Sequence, residues 1–448
     1  MPDPTPPEQA ARKAYNLVFD DAELDNGALP EAAAKSVPRN FFLNVFNGGL
    51  TKLAEQLASP GLVLAWLIGA VGAPAAFAGL LVPIRQAGSL LPQLFVSGQI
   101  RRLTRQKWFW VGAGLTQAAT LLLMALAAVT LEGSAAGLAI VLTLGLFSLA
   151  SGVGSIAFKD VMAKTTRKGR RGSLLAARAS LGGALTLVAG VTLRIVLGGD
   201  DGPTGVYAAL LIIAAALWVG AAMLFAMIVE PEGERQKPRS VIEEVREGGK
   251  LVRRNSAFRW FLGARALLVS VPLIVPFLAL FAQGLVGGGS DRLLIFVIAL
   301  GLTEVIASPL WGWVADRSAK LAMAMGGMMG VLAGGGAMLC WILPTDDLPG
   351  WALMLIAGSF IVAAGLGQAG ARLGRKTYLV DGAPDDRRPL YVSVANTIIG
   401  VVTIAGATLG ILAEVLSVEA VIGVLTFFAC LGVLASTLMP EAERLADH

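Results

Sequence analysis

The segment 312–320 reads Gly312-Trp313-Val314-Ala315-Asp316-Arg317-Ser318-Ala319-Lys320. It contains one carboxylate and two cations, and two long apolar runs, 291–314 and 320–343, meet at it. A helix needs roughly 20 apolar residues to cross about 30 Å of hydrocarbon. Each run is long enough, so the segment is predicted to be a short polar turn between two membrane-spanning helices.

The same alternation of apolar runs and polar turns continues along the whole chain. Hydrophobic residues make up 55% of the 448 residues and charged residues only 15%. The runs are continuous and lack the two-residue alternation of a membrane β-barrel. We therefore predict an all-α membrane protein with twelve transmembrane helices, at 41–68, 75–98, 108–131, 136–159, 174–198, 205–229, 258–283, 291–314, 320–343, 351–374, 389–415 and 419–438. An interfacial helix over 41–59, with eleven spans, is the alternative.

The positive charges are concentrated on one side of the predicted spans. Thirty of the 36 Lys and Arg residues precede the first span or follow the even-numbered ones. Cytoplasmic segments of membrane proteins keep the cations, so both termini are expected in the cytoplasm. The first 40 residues lack the apolar core of a cleaved signal peptide. A multi-pass protein of the bacterial inner (cytoplasmic) membrane is the predicted class.

A long polar segment divides the chain into two six-span halves. Within it, Val241–Arg254 could form an amphipathic surface helix. The predicted organisation is a cytoplasmic N-terminal tail (1–40), an N-terminal bundle (41–229), a cytoplasmic linker (230–257), a C-terminal bundle (258–438) and a cytoplasmic C-terminal tail (439–448).

The two halves repeat a pattern of charged and small residues. Lys159, the pair Arg170-Arg171 and Gly183 recur 217 positions later, as Lys376, Arg387-Arg388 and Gly400. Chance is the alternative, since basic pairs and helical glycines are common in membrane proteins. Parallel halves usually place a binding site between them, near the middle of the bilayer.

The segment 312–320 resembles the loop signature G-x-x-x-D-R-x-G-x-[RK] of the major facilitator superfamily. Gly312, Asp316 and Arg317 match it, whereas Ala319 stands in place of Gly and the cation comes one position early, at Lys320. With its twelve predicted spans, linker and repeat, the whole chain is similar to that superfamily. The resemblance implies two six-helix bundles around a central site and transport by alternating access.

The resemblance also implies a cytoplasmic gate. An Asp in this loop can meet the positive end of a helix dipole and arginines of the opposite half. A second, reversed pair of charges is expected in the first half. The alternative for both is a set of solvated loop charges. The predicted gate residues are Gly312, Asp316 and Arg317 with Arg170, Arg171 and Arg178, and Arg101 and Arg102 with Asp385 and Asp386.

Polar side chains form a stripe on one face of the first predicted span. An ionisable group at this depth must be paired or hydrated, so the stripe predicts the wall of a water-filled cavity. Lys52 and Glu55 are three residues apart and can pair directly, or Arg85 in the second span can neutralise Glu55. The predicted substrate and proton-coupling residues of this half are Asn44, Asn47, Lys52, Glu55, Gln56 and Arg85.

The second half contributes fewer ionisable candidates. Glu304 lies in the middle of the eighth span, and it could carry a proton or pair with Arg265. Asn396 marks a polar face of the eleventh span. Four other charged residues lie near span ends, where the default interpretation is that they reach the membrane surface: Arg178, Arg194, Arg372 and Glu414. Arg178 and Arg372 could instead belong to the inner gate.

Catalytic, metal and cofactor sites are not expected. The single histidine is His448, so a histidine-based catalytic or zinc site cannot form in the spans. No P-loop sequence is present, which argues against an ATP-driven pump. Cys340 and Cys430 lie in separate apolar runs without ligand spacing.

The expected function is secondary active transport, not catalysis. Protonation of a buried carboxylate, Glu55 or else Glu304, is predicted to couple transport to protons. Because cations outnumber carboxylates within the spans, the predicted substrate is an anionic or zwitterionic small molecule. Expected partners are this substrate, protons and the lipid bilayer, with no nucleic acid, and a monomer is the default state. Two alternatives stay open: a flippase or exporter of lipids or amphiphiles, and a non-transporting relative that serves as an assembly factor or receptor.

Overall fold

Helices account for nearly all of the described chain. The computed structural model describes residues 9, 13, 15, 31–100, 104–166, 170–197, 204–232, 241–287, 289–344, 347–384 and 387–445. The N-terminal half and the linker form α1 (Glu31–Leu57), α2 (Val63–Ala70), α3 (Ala75–Ile100), α4 (Lys107–Thr130), α5 (Gly133–Thr165), α6 (Arg171–Leu197), α7 (Gly205–Ala226) and α8 (Val241–Arg254). The C-terminal half forms α9 (Ser256–Leu267), α10 (Ser270–Val286), α11 (Ser290–Arg317), α12 (Ala319–Ile342), α13 (Gly350–Gly382), α14 (Arg388–Ala405), α15 (Thr408–Val415) and α16 (Val418–Leu438).

The helices identify a multi-pass membrane protein. Within the described residues, ten segments are long and apolar enough to cross a bilayer. They coincide with the third to twelfth predicted spans. The first two predicted spans, 41–68 and 75–98, are occupied by α1 with α2 and by α3, but these helices do not meet the same criterion of length and hydropathy. Twelve crossings therefore stay a prediction.

Two helices extend beyond the predicted spans. The first, α1, begins at Glu31, inside the predicted tail. The helix α13 ends at Gly382, eight residues after the predicted end at 374. Hydropathy marks only the part of a helix that lies in hydrocarbon, and a charged turn can continue the same helix into water. The helix ends therefore differ from the predicted span ends, which stay a prediction.

Helix positions agree with the internal repeat. The helices α5 and α13 have 33 residues each and begin 217 positions apart, at Gly133 and Gly350. The next helices of the two halves, α6 and α14, also begin 217 positions apart, at Arg171 and Arg388.

The first span of each half is broken near its middle, which the sequence analysis did not predict. Between α1 and α2 the helix stops at residues 58–62, where Pro60 lacks an amide hydrogen and disfavours a helical conformation at the preceding residue. Between α9 and α10 it stops at Leu268 and Val269. In transporters, such discontinuous helices expose backbone polar groups at the binding site.

The predicted surface helix in the linker is present as α8. Its Leu251 is buried, in one cluster with Phe258 of α9, and Gly248 lies directly against Val394 of α14. The helix is therefore packed onto the C-terminal half. Asn255 follows it and caps α9, its side-chain oxygen accepting a 2.8 Å hydrogen bond from the Phe258 amide.

Within the described residues, the two halves meet most closely along five pairs of helices: α6 with α11, α3 with α15, α14 and α10, and α2 with α10. The ring of Trp66 lies 5.7 Å from that of Phe296, centroid to centroid. Gln283 donates a 3.2 Å hydrogen bond to the carbonyl of Trp66. The charge rule predicts that the ends of α2 and α10 are the outer ends of their spans, so these contacts are predicted to lie at the outer side.

Candidate functional site

A cavity lies between the two halves, beside the breaks in their first spans. It consists of two adjoining chambers, of about 300 Å³ and about 270 Å³. The polar residues of the first chamber include Lys52, Glu55, Gln56, Arg85, Thr303 and Arg372. Those of the second chamber include Arg265, Arg375, Asn396 and again Arg372. Both chambers share Gln86, Ser89, Pro272, Gln368 and Arg372.

An ion pair joins α1 to α3 in the wall of the first chamber. The distance from Glu55 Oε1 to Arg85 Nη2 is 3.1 Å, and the side chains are 38% and 22% exposed. The Arg85 guanidinium also lies 5.3 Å from the centroid of the Phe147 ring. Of the two pairings predicted for Glu55, the structure gives the one with Arg85.

Lys52 reaches the same chamber from the preceding turn of α1. A Cβ atom on Gly182 of α6 would overlap the Cβ of Lys52. Glycine therefore lets α6 approach α1 closely enough to support the base of the lysine side chain. Gln56 lies beside them, as the polar stripe predicted.

Two predicted residues of the second half come together in the second chamber. Arg265 of α9 donates a 2.8 Å hydrogen bond from Nη2 to Oδ1 of Asn396 on α14. Only 6% of Arg265 is exposed, and its Nε is buried without a hydrogen-bond partner among the described residues. The partner of Arg265 is thus a neutral amide. The side chain of Glu304, its other predicted partner, lies outside the described part of the structure.

Asn44, Asn47 and Arg178 form a separate cluster inside the N-terminal half. Arg178 Nη1 donates to the backbone carbonyl of Asn44 at 2.9 Å and to Oδ1 of Asn47 at 3.2 Å. Asn47 in turn donates to the carbonyl of Ala221 at 2.9 Å. The Arg178 guanidinium lies 4.3 Å from the centroid of the Phe158 ring. These contacts tie α1 to α6 and α7, and neither chamber is lined by these three residues.

The helices of the predicted gate run antiparallel. Close contacts join Gly183 to Val305 and Gly190 to Ile298, so the end of α11 and the start of α6 lie on the same side of the molecule. Arg171 donates a 2.9 Å hydrogen bond to the carbonyl of Ala163 within its own half.

The signature residues themselves are exposed at the end of α11. Asp316 and Arg317 are exposed, and the Arg317 guanidinium lies 3.5 Å from the centroid of the Trp313 ring. Gly312 has open space beside it. Arg170 lies one residue before α6. The other predicted gate residues, Arg101, Arg102, Asp385 and Asp386, fall outside the described residues. The gate therefore stays a prediction.

Sequence reasoning missed the contribution of α13 to the cavity. Gln368, Arg372 and Arg375 all line the chambers. Their spacings of four and three residues place them on one helical face, which was a readable signal. Arg372 was instead interpreted as a residue near a span end, because the helix was expected to stop at 374.

Within the described residues, no group of three or more His, Cys, Asp or Glu side chains could hold a metal ion. The described lining of the cavity offers guanidinium, ammonium, amide and hydroxyl groups and the Glu55 carboxylate. Such groups can bind, orient and exchange a proton.

Comparisons with known proteins agree with this architecture. A profile of the Major Facilitator Superfamily matches residues 293–447. Over 91% of its length the chain superposes on 99% of a D-xylose–proton symporter, with a TM-score of 0.64 and 14% identity. It likewise superposes on the nucleoside transporter NupG, with a TM-score of 0.66 and 12% identity over 89% of this chain and 99% of the other. The resemblance to the major facilitator superfamily is confirmed.

A closer relative in sequence is the uncharacterized protein Rv2209 of Mycobacterium tuberculosis. It is 27% identical to this chain over 405 residues, which are 85% of this chain and 73% of the relative. An uncharacterized protein of Mycobacterium bovis gives the same values. The transporters of known structure share the major facilitator fold with this chain.

Proposed function

We propose that this protein is a proton-coupled secondary transporter of the inner membrane that carries an anionic small molecule by alternating access. The observation that carries the proposal is the charge of the central cavity. Its described lining contains five cations and one carboxylate. The cations are Lys52, Arg85, Arg265, Arg372 and Arg375.

The charge of this cavity favours an anion over a zwitterion or a neutral solute. A desolvated cation is costly unless an opposite charge or a dense hydrogen-bond network compensates it. Glu55 compensates Arg85, whereas Arg265 is bonded to a neutral amide and its Nε has no acceptor among the described residues. A bound carboxylate or phosphate would compensate others, and guanidinium groups bind both through paired N–H donors.

The arrangement of the halves supports alternating access. The chambers lie between helices of both halves, and the contacts around Trp66 close the outer side. The second chamber continues from the first toward Arg265 and Arg375, on the linker side of the α9–α10 break. A solute that enters the cavity from the cytoplasmic side would be released outward when the contacts around Trp66 break and the two halves close on the cytoplasmic side instead.

Glu55 is the proposed proton carrier. Its carboxylate is accessible from the cavity and bound to Arg85, so protonation would cancel this pairing and free the guanidinium for the substrate. Proton binding and anion binding would then favour the same state of the cavity, which is the requirement for coupling. The D-xylose–proton symporter with the same fold is a proton-coupled carrier by name.

Proton uptake by proteoliposomes tests this function. Purified protein is reconstituted, and a mixture of small organic acids, or a mixture of neutral sugars as the control, is added outside under weak buffering. The expected result is alkalinisation of the medium with the acids, absent from protein-free liposomes. Movement of labelled lipid without solute-driven alkalinisation would favour a flippase. Neither signal would favour the assembly role and contradict our proposal.

A further inference from the structure

A further cavity, of about 360 Å³, lies on the surface of the C-terminal half. It is an open groove between α9 and α16, two helices that pack against each other. Most of its lining comes from α9, and Ala435 contributes from α16. None of its lining residues lines either chamber of the central cavity, so the groove is separate from the proposed transport site.

The groove is polar at one end and apolar at the other. Ser256, Arg259 and Trp260 belong to the beginning of α9, whereas Gly263 and Leu267 follow further along the helix. Because α9 begins where the linker enters the first span of the C-terminal half, its first turns are predicted to lie at the cytoplasmic surface of the bilayer. Trp260 is 50% exposed there, and tryptophan is common at the level of the lipid headgroups. A phospholipid of the inner leaflet has the same order, with its headgroup at the surface and its acyl chains beneath.

Arg259 is held in place and still has free hydrogen-bond donors. Its Nη1 donates to the carbonyls of Val252 at 3.2 Å and Arg253 at 2.7 Å. Within the described part of the chain these are its hydrogen bonds, so Nη2 and Nε remain available to an anion. A guanidinium fixed in this way is suited to the paired oxygens of a phosphate group.

The charges around the groove favour a headgroup with a net negative charge. Arg253 and Arg254 are exposed in the last turn of α8, where Arg259 is bonded. The lining of the groove contains no carboxylate among the described residues. Cations at this level attract anionic lipids, whereas the ammonium group of a zwitterionic headgroup would be repelled by the three arginines.

Small residues leave room for an acyl chain next to the cation. A Cβ atom on Gly263 would meet no other group within 4 Å, so the groove is open at this position. On α16, Leu434 and Leu438 near Ala435 are 57% and 70% exposed. The surface beside the groove is therefore suited to hydrocarbon.

We propose that this groove binds an anionic phospholipid of the cytoplasmic leaflet, with the phosphate on Arg259 and one acyl chain along Gly263 and Leu267. The site does not depend on the proposed transport function. Because Arg259 also bonds the last turn of α8, a bound lipid would hold the linker helix at the membrane surface.

Native mass spectrometry of the purified, delipidated protein tests the proposal by counting bound phospholipids. The probes are phosphatidylglycerol and, as the zwitterionic control, phosphatidylcholine with the same acyl chains. Arg259→Gln removes the proposed phosphate ligand, and Gly263→Leu fills the groove without removing a side-chain contact.

Each variant has a matched control on the N-terminal half. Arg105→Gln removes a cation that is exposed and lines neither the groove nor the two chambers. Gly112→Leu adds the same side chain as G263L near the start of α4, where a Cβ atom likewise meets no other group within 4 Å.

Phosphatidylglycerol is expected to bind the native protein at lower concentrations than phosphatidylcholine. R259Q and G263L should each weaken phosphatidylglycerol binding by about fivefold or more, the factor that corresponds to about 1 kcal/mol for one cation at an anionic surface. R105Q and G112L should bind it as the native protein does.

Equal binding of the two lipids by the native protein would overturn the proposal. Unchanged binding in G263L would overturn it as well, because the lipid would then be attracted to the basic surface without entering the groove. G263L also decides the matter if R259Q does not fold. Displacement of the lipid by excess glycerol 1-phosphate would assign the groove to a soluble phosphate and contradict a lipid site.

Discussion

Glu55 and Glu414 occupy different positions in the structure. It lies in the cavity, paired with Arg85, whereas Glu414 is exposed at the end of α15. A carboxylate that is both accessible to water and bound to a cation can exchange a proton and change the charge offered to a ligand. Proton exchange of this kind can couple the proton to a substrate, because each ligand alters the affinity of the protein for the other.

Glu55→Gln is expected to separate exchange from proton-driven accumulation. Glutamine has the shape of a protonated glutamate, so the cavity should still bind and exchange an acid across the membrane. It cannot release a proton, so an imposed pH gradient should no longer drive accumulation, with a loss of at least tenfold. In proteoliposomes, counterflow measures the exchange rate and uptake under a pH gradient measures accumulation. Glu414→Gln should keep both, and equal losses in exchange and accumulation would contradict a coupling role.

Some of these residues could be predicted from the sequence and others could not. Lys52, Glu55 and Arg85 could be predicted because an ionisable side chain inside an apolar run is unusual enough to notice. The half-buried position of Arg178 could not, because its asparagine partners are over 130 positions away in the chain. Contacts of that kind depend on how helices pack, which hydropathy does not encode.

A buried carboxylate caps the N-terminus of α4. Glu230, which follows α7, accepts hydrogen bonds from the amides of Gln106 at 3.0 Å and Lys107 at 2.8 Å. Its side chain has no exposed surface, and it pairs with Lys164 of α5 at 3.1 Å. A carboxylate at a helix N-terminus satisfies free amide groups and the helix dipole together. Three helices of the N-terminal half are joined in this way.

Glu230→Ala should destabilise the N-terminal half. Removing the carboxylate leaves the two amides without an acceptor and Lys164 without its opposite charge, at a cost of about 3–5 kcal/mol. The neighbouring Glu232 is 68% exposed and paired with Arg105 at 3.4 Å, so Glu232→Ala should cost less than about 1 kcal/mol. The Tm of the two purified variants measures the difference, and equal Tm values would show that the Glu230 pair is not stabilising.

Two glycines allow the close contact between α3 and α15 at the predicted outer side. A Cβ atom on Gly79 of α3 would overlap the backbone of Gly410 in α15. Without side chains the two helices meet backbone to backbone, as small residues permit in membrane helices. Gly79→Val should therefore push α3 and α15 apart and shift the population toward states open to the outside. Gly112→Val is the matched control, because a Cβ atom on Gly112 would meet no side chain or other helix within 4 Å.

Labelling of a reporter cysteine measures that shift. Ser59 lines the first chamber, so Ser59→Cys is introduced after Cys340 and Cys430 are changed to serine. A membrane-impermeant maleimide added from outside should label G79V faster than the parent by threefold or more, and G112V at the parent rate. Faster labelling in G112V as well, or in neither variant, would contradict a glycine-dependent closure.

For the whole molecule, the sequence predicted the architecture better than the site. Long apolar runs, the side-specific cations and the 217-residue repeat are properties of the chain itself, so the helical halves followed from them. The breaks at 58–62 and at Leu268 are less predictable, since proline also occurs inside α11 without ending it. Assembly of the cavity from both halves is a tertiary property, which is why Arg375 was not expected there.

The central claim is that the cavity between the halves carries an acid across the membrane. The most direct test offers proteoliposomes a metabolite extract under an inward proton gradient and identifies the accumulated solutes by mass spectrometry, for the native protein, Arg372→Gln and Arg105→Gln. The claim predicts that acids accumulate with the native protein and R105Q and fall to the protein-free level with R372Q. Accumulation of neutral or cationic solutes alone, or equal accumulation of acids by R372Q, would contradict it.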